Sequence, residues 1–99
     1  MKIVIYTEKP EEFIEKIREE ITGERVKTWD FTGDNLVHTG GKGQWEDIFL
    51  SPGIRKDRIS VSAVRSPQQD RGGESYVMGR FVELLLTHLY RDFDKIEIY

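Results

Sequence analysis

Residues 2–23 read KIVIYTEKPEEFIEKIREEITG, and the change of period inside this stretch decides the fold. Ile3, Val4, Ile5 and Tyr6 are β-formers, nearly continuous in apolarity, as a strand inside a sheet requires. Pro10 then stands where a first helical residue belongs, and Glu11 and Glu12 fill the first turn, complementing the helix dipole. Phe13, Ile14, Ile17 and Ile21 recur at helical spacing and form one apolar stripe. Glu12 and Lys16 lie four apart in the favourable order, and Gly23 offers the stop. A strand running straight into a one-sided helix calls for a sheet with helices laid over it.

Working outward, residues 25–31 alternate imperfectly, with Trp29 and Phe31 on one face and Val26 and Thr28 on the other. Thr32, Gly33, Asp34 and Asn35 supply turn chemistry, because Gly and Asn tolerate positive φ, and residues 36–39 return as the hairpin partner. Residues 40–44 read as a flexible glycine loop, and residues 46–50 as a short strand cut by Ser51, Pro52 and Gly53. Residues 58–65 alternate well: Ile59, Val61 and Ala63 share one face, Ser60, Ser62 and Val64 the other. Residues 66–73 have no periodicity and read as an exposed loop.

A second helix is predicted from about Ser75 to Asp92. Val77, Phe81, Leu84, Leu85, His88 and Leu89 line one side, Val82, Leu86 and Phe93 widen it, and Arg80, Glu83, Thr87 and Arg91 form a polar stripe. So wide an apolar face fits packing across a sheet and against the first helix, or a homodimer contact. Gly79 marks either a close approach or a later helix start. Residues 95–99 close as a strand with Ile96 and Ile98 inward. The expected architecture is a single α+β domain over residues 1–99, a two-layer sandwich. Two helices pack on one face of a mixed or antiparallel sheet, a ferredoxin-like plan with an extra strand or hairpin.

Composition is consistent with a folded chain. Leu, Ile, Val and Phe make up 28 of 99 residues, above the roughly 20% below which a charged chain stays disordered. No cysteine is present, which excludes a disulfide framework and a thiolate zinc site. The apolar N-terminal run is too short for a signal peptide, and no segment approaches the ~20 apolar residues of a membrane helix. The default expectation is a soluble, cytoplasmic protein without membrane association. The net charge of −3 argues against a general nucleic-acid binder. It is unevenly spread: residues 8–24 hold seven Glu against three cations, whereas residues 40–73 hold six cations against four acids.

No catalytic motif emerges. Gly40, Gly41, Lys42 and Gly43 resemble a phosphate cradle in composition, but a Walker loop needs GxxxxGK[ST] between a strand and a helix. A hairpin tip is the better reading. Arg71, Gly72 and Gly73 ahead of the second helix likewise read as a loop rather than an anion site. His38 and His88 are the only histidines; with Lys42 they could run acid–base phosphodiester cleavage. His88, however, sits in an apolar stripe and His38 in a hairpin strand, which favours structural roles. Asp30, Asp34 and His38 lack metal-ligand spacing, so neither metal nor cofactor is expected.

The surface offers more. Trp45 stands between the glycine loop and Glu46 and Asp47, either as core or as an interface anchor. Arg55, Lys56, Arg58 and Arg71 would make a charged rim, and Glu12, Glu15 and Glu19 a solvated acidic helix face. Together with Lys42, these are the candidate interface residues. The first expectation is therefore a non-enzymatic protein-binding domain, such as an inhibitor or immunity protein that captures a basic toxin or enzyme by electrostatic steering. An RNA or single-strand binding module on the sheet face is the alternative, and a His-dependent nuclease-like enzyme the second alternative.

Overall fold

The computed structural model describes residues 1–40, 44–45, 47–66 and 71–99. The chain runs β1 (Lys2–Tyr6), α1 (Pro10–Thr22), β2 (Trp29–Thr32), β3 (Asn35–His38), β4 (Ile48–Ile54), β5 (Arg58–Arg65), α2 (Arg71–His88) and β6 (Lys95–Ile98). The six strands form one sheet in the order β2-β3-β4-β5-β1-β6, antiparallel throughout. The α+β sandwich expected from the sequence is the fold observed. Setting aside the β2–β3 hairpin leaves β4-β5-β1-β6, the strand order of a ferredoxin-like unit, with the hairpin added at the edge beyond β4.

Strand register assigns the two faces. Ile3 opposes Val61, Ile5 opposes Ile59, Leu50 opposes Ala63 and Leu36, and Trp29 opposes His38. These residues look toward the helices and form one core with Phe13, Ile14 and Ile17 of α1 and Val77, Met78, Phe81, Leu84 and Leu85 of α2. Burying each large apolar side chain contributes about 1.5–3 kcal/mol. Lys2, Val4, Tyr6, Ser60, Ser62 and Phe49 alternate onto the opposite face, which no helix covers.

Several local readings are corrected. Gly23 keeps a right-handed φ of −78°, and the left-handed residue that ends α1 is Glu24, at φ 61°. Glycine at 23 answers crowding instead: an added Cβ would lie 3.0 Å from the Glu19 carbonyl oxygen. The N–H groups of Arg25 and Val26 both donate to the Glu20 carbonyl, folding the chain back over the end of α1.

Ser51, Pro52 and Gly53 do not cut β4. Arg55 N–H donates to the Arg58 carbonyl at 2.8 Å, closing a two-residue hairpin. By alternation, Gly53–Ser60 and Ser51–Ser62 are then the hydrogen-bonded pairs, so Pro52, opposite Val61, turns its nitrogen away from β5. On that side β3 pairs only with Leu50 and Phe49, so the missing donor interrupts no ladder.

Helix α2 begins at Arg71, not near Ser75. Glu74 in its first turn is held by the Met1 amino group (2.7 Å) and Arg65 Nε (3.0 Å) at only 8% exposure. An anchored carboxylate at a helix start offsets the poor propensity of Gly72 and Gly73. The helix ends at His88, earlier than expected, and Asp92 N–H donates to the Leu89 carbonyl in the turn that follows. Gly79 marks neither a close approach nor a boundary: a Cβ there would meet nothing within 4 Å. In β6, Ile96 packs on the core whereas Ile98 is exposed, because helix cover stops short of the strand end. The aperiodic loop expected at residues 66–73 falls partly at 67–70, outside the described residues; its last three residues are helical.

Candidate functional site

The expected interface residues that the structure describes fall in three separate places. Glu12, Glu15 and Glu19 stand in a row on the outer face of α1, lining a shallow groove with Glu11 and Lys16. The cations of this helix also reach partners away from the acidic row. Lys16 pairs with Asp92 in the segment between α2 and β6. Arg18 lays its guanidinium 3.9 Å over the Phe31 ring and reaches the Gly33 carbonyl. Its approach to Glu15 is 3.9 Å and that of Lys9 to Glu12 is 4.0 Å, both at the limit of an ion pair.

The second place is the β4–β5 hairpin. Arg55 and Lys56 are exposed at its tip, and Arg58 is half-buried, paired with Asp57 and stacked 4.8 Å over Tyr6. Lys95 approaches Tyr6 at 4.6 Å from the other neighbouring strand. Hydrogen bonding to Glu97, then desolvation, raises the Tyr6 hydroxyl above its ordinary range, so the ring stays neutral. Phe49 and Tyr99 share this uncovered face by register, with Lys2 beside Tyr99.

The third place lies near the start of α2. Trp45 is half-buried against the core and stacked on Tyr76 at 5.0 Å, so it is no free anchor. Asp47 accepts a 2.8 Å hydrogen bond from the Ser66 hydroxyl. Lys42 and Glu46 lie outside the described residues, as does the side chain of Arg71.

The structure also gathers residues that sequence reading kept apart. A cavity of about 360 Å³ opens between α2 and the β2–β3 hairpin, and both histidines line it. His38 comes from the end of β3, His88 from the last turn of α2. Arg25, Lys27 and Thr28 wall it from the α1–β2 connection, and Tyr76, Arg80 and Glu83 from α2. His38 is only 4% exposed, wedged edge-on against Trp29 (5.0 Å) and Tyr76 (6.0 Å), and its Nδ1 is buried without a hydrogen-bond partner. Burial lowers its basicity below the ordinary histidine value; Arg80 adds to that and Glu83 opposes it.

His88 turns instead toward Glu20, with Nδ1 3.6 Å from a carboxylate oxygen that Arg25 Nε also engages at 2.7 Å. No hydrogen bond joins the two imidazoles, and among the described residues the amine-bearing side chain lining the cavity is Lys27. No cluster of three or more metal-binding side chains exists among the described residues, and no described helix is long and apolar enough to cross a membrane. Alternation in β3 and the spacing of Tyr76, Arg80 and Glu83 in α2 were legible, but not that the added hairpin sets these faces opposite each other. No family model, curated protein or solved structure matches the chain.

Proposed function

We propose that this protein is a non-enzymatic protein-binding domain whose outer α1 face docks on a basic partner. The observation that supports this reading is the exposed row of Glu11, Glu12, Glu15 and Glu19, beside which Lys16 also pairs with Asp92 and Arg18 stacks on Phe31. A row of like charges on a helix is a cost to the free fold and a gain once a cationic surface faces it. Complementary fields raise the association rate more than they deepen the bound state. A protein inhibitor of a basic enzyme or toxin is the member of this class that the charge favours.

The test compares the parent with a Glu12→Lys, Glu15→Lys, Glu19→Lys variant as baits in host-cell extract, followed by association kinetics with the retained protein. Association that slows with rising salt and is lost in the variant supports the reading. A parent that retains nothing at low salt, or a variant that retains the same proteins, refutes it.

A second reading has a specific observation in its favour. The uncovered sheet face presents Tyr6, Phe49 and Tyr99 beside Lys2, Arg58 and Lys95, the aromatic and cationic pairing that single-stranded nucleic acid uses. Titration of mixed oligonucleotides at low salt decides it: binding insensitive to salt or to Tyr6→Ala removes it.

A further inference from the structure

We propose that the open edge of β6 pairs with the β6 edge of a second copy of this chain, antiparallel and in the register that sets Lys95 against Glu97. Strand β6 borders β1 and no other described strand. Lys2 and Tyr99 exchange N–H to carbonyl bonds in both directions, at 3.0 and 2.8 Å. By alternation, Ile96 and Ile98 turn their own N–H and carbonyl groups away from β1. A row of unpaired backbone groups is a template for another strand. The opposite edge of the sheet is blunted. A two-residue turn at Gly33 and Asp34 leaves the Phe31 N–H pointing outward from β2, and the Asp30 carboxylate accepts it at 2.8 Å. Arg18 lies across the Phe31 ring as well. Strand β6 has no such cover among the described residues: it holds no proline, and Ile98 is 61% exposed.

The charges of the strand select both the partner and the register. Outward-facing residues must meet outward-facing residues, so a two-fold pairing centres on Ile96, on Glu97 or on Ile98. Centred on Glu97, the two glutamates stand face to face, where side chains of opposing strands come closest. Centred on Ile98, Lys95 meets no residue of the other β6. Centred on Ile96, Lys95 of each copy opposes Glu97 of the other, giving two complementary pairs from one symmetric contact. Ile96 then meets its own counterpart, and the exposed Ile98 stands diagonal to it on the same face. Lys95 already lies flat on the uncovered face, 4.6 Å over the Tyr6 ring, so it need not leave the sheet to reach the other strand. Such pairing runs two six-stranded sheets into one and uses none of the α1 residues proposed above. A contact of this length buries less than the ~1,200 Å² of a stable interface, so the dimer is weak, with a dissociation constant on the order of 0.1 mM.

The experiment is sedimentation equilibrium of the whole protein from about 10 μM to about 1 mM, with backbone amides followed by 1H–15N NMR over the same range. A monomer–dimer equilibrium is expected, with the Ile96 and Ile98 amide signals moving as concentration rises. Ile98→Pro removes an outward donor at an exposed edge position, so it should stay folded by circular dichroism and weaken the dimer at least about tenfold. Lys95→Glu sets like charges opposite each other twice and should also weaken the dimer about tenfold. Lys95→Glu combined with Glu97→Lys should restore it. A protein that stays monomeric at about 1 mM overturns the proposal. A dimer indifferent to Ile98→Pro overturns it too, because the contact then lies elsewhere. So does a folded double exchange that fails to recover the association lost in Lys95→Glu.

Discussion

Replacing Gly40 with alanine tests whether the His38 ring is held fast beside the cavity. The residue sits just after β3, with no left-handed backbone angle that would itself demand glycine. An alanine Cβ would lie 2.9 Å from His38 Cε1 and 3.3 Å from Thr28 Cβ and Cγ2. The imidazole cannot swing aside, because Trp29 and Tyr76 bracket it and little of it reaches solvent. Overpacking of this kind costs about 1–3 kcal/mol. Against that, losing glycine's freedom in the unfolded chain returns about 0.4–1 kcal/mol. The balance is a net loss of roughly 1–2 kcal/mol, or about 4–8 °C of melting temperature per kcal/mol in a chain of this size.

Gly79→Ala supplies the control, since its Cβ meets nothing and it lies inside α2. That substitution should stabilise by about 0.5–1 kcal/mol. Urea unfolding followed by circular dichroism measures both, with an unchanged m-value showing that the unfolded state is the same. Should Gly40→Ala prove as stable as the parent while Gly79→Ala gains, the imidazole is free to move and the account of the site fails.

Glu24→Gly should stabilise by roughly 0.5–1 kcal/mol, because it relieves a left-handed φ of 61° in a residue with a Cβ; a loss on calorimetry contradicts the assigned helix end. Glu74→Gln should cost about 1–2 kcal/mol at neutral pH, the lower part of the range for charge-assisted bonds, since Met1 and Arg65 are each about one-third exposed. Hydrogen bonding to the Met1 amino group, more than to Arg65, holds Glu74 below its ordinary 4.5, so its stabilisation is present above that value and lost as pH falls through the folded one. The glutamine variant should show a flatter acid limb in urea melts below about pH 4.5, and an unaltered limb counts against the buried pair. His38 runs the same way in a higher pH window: its protonation is disfavoured in the fold, chiefly by burial. Stability should decline as pH drops below about 6.5 toward its lowered folded value, and His38→Phe should abolish that decline.

How much of this was legible in the sequence follows from where each signal resides. The β1–α1 unit declared itself because its apolar residues switch from continuous to helical spacing within a few positions, and β5 because Ile59, Val61 and Ala63 alternate cleanly with Ser60, Ser62 and Val64. The failures share one cause, tertiary partners overriding local chemistry. Pro52 looked like a strand terminator, yet the hairpin register turns its nitrogen to the side where β3 makes no ladder. Gly72 and Gly73 looked like loop, yet a buried carboxylate one residue on is anchored by groups from the far end of β1 and from β5. Glu24 took the left-handed position although a glycine stood next to it, where the chain turns back and the N–H groups of Arg25 and Val26 reach the Glu20 carbonyl.

The acidic face and the cavity differ in legibility for the same reason. Glu12, Glu15 and Glu19 belong to one helix, so three- and four-residue spacing sets them in a row before any packing is known. What the sequence could not show was the fate of Lys16 and Arg18, whose partners lie on a distant turn and on β2. The cavity has no local signal at all. Its residues come from the α1–β2 connection, the end of β3 and the middle and last turns of α2, and they meet because the added hairpin carries the sheet edge out beneath α2. His38 on β3 and the Trp29 beside it on β2 both belong to that hairpin, so a sheet ending at β4 would have neither, nor the cavity they line. The feature that departs from a ferredoxin-like plan is thus also the one that leaves a buried nitrogen unpaired.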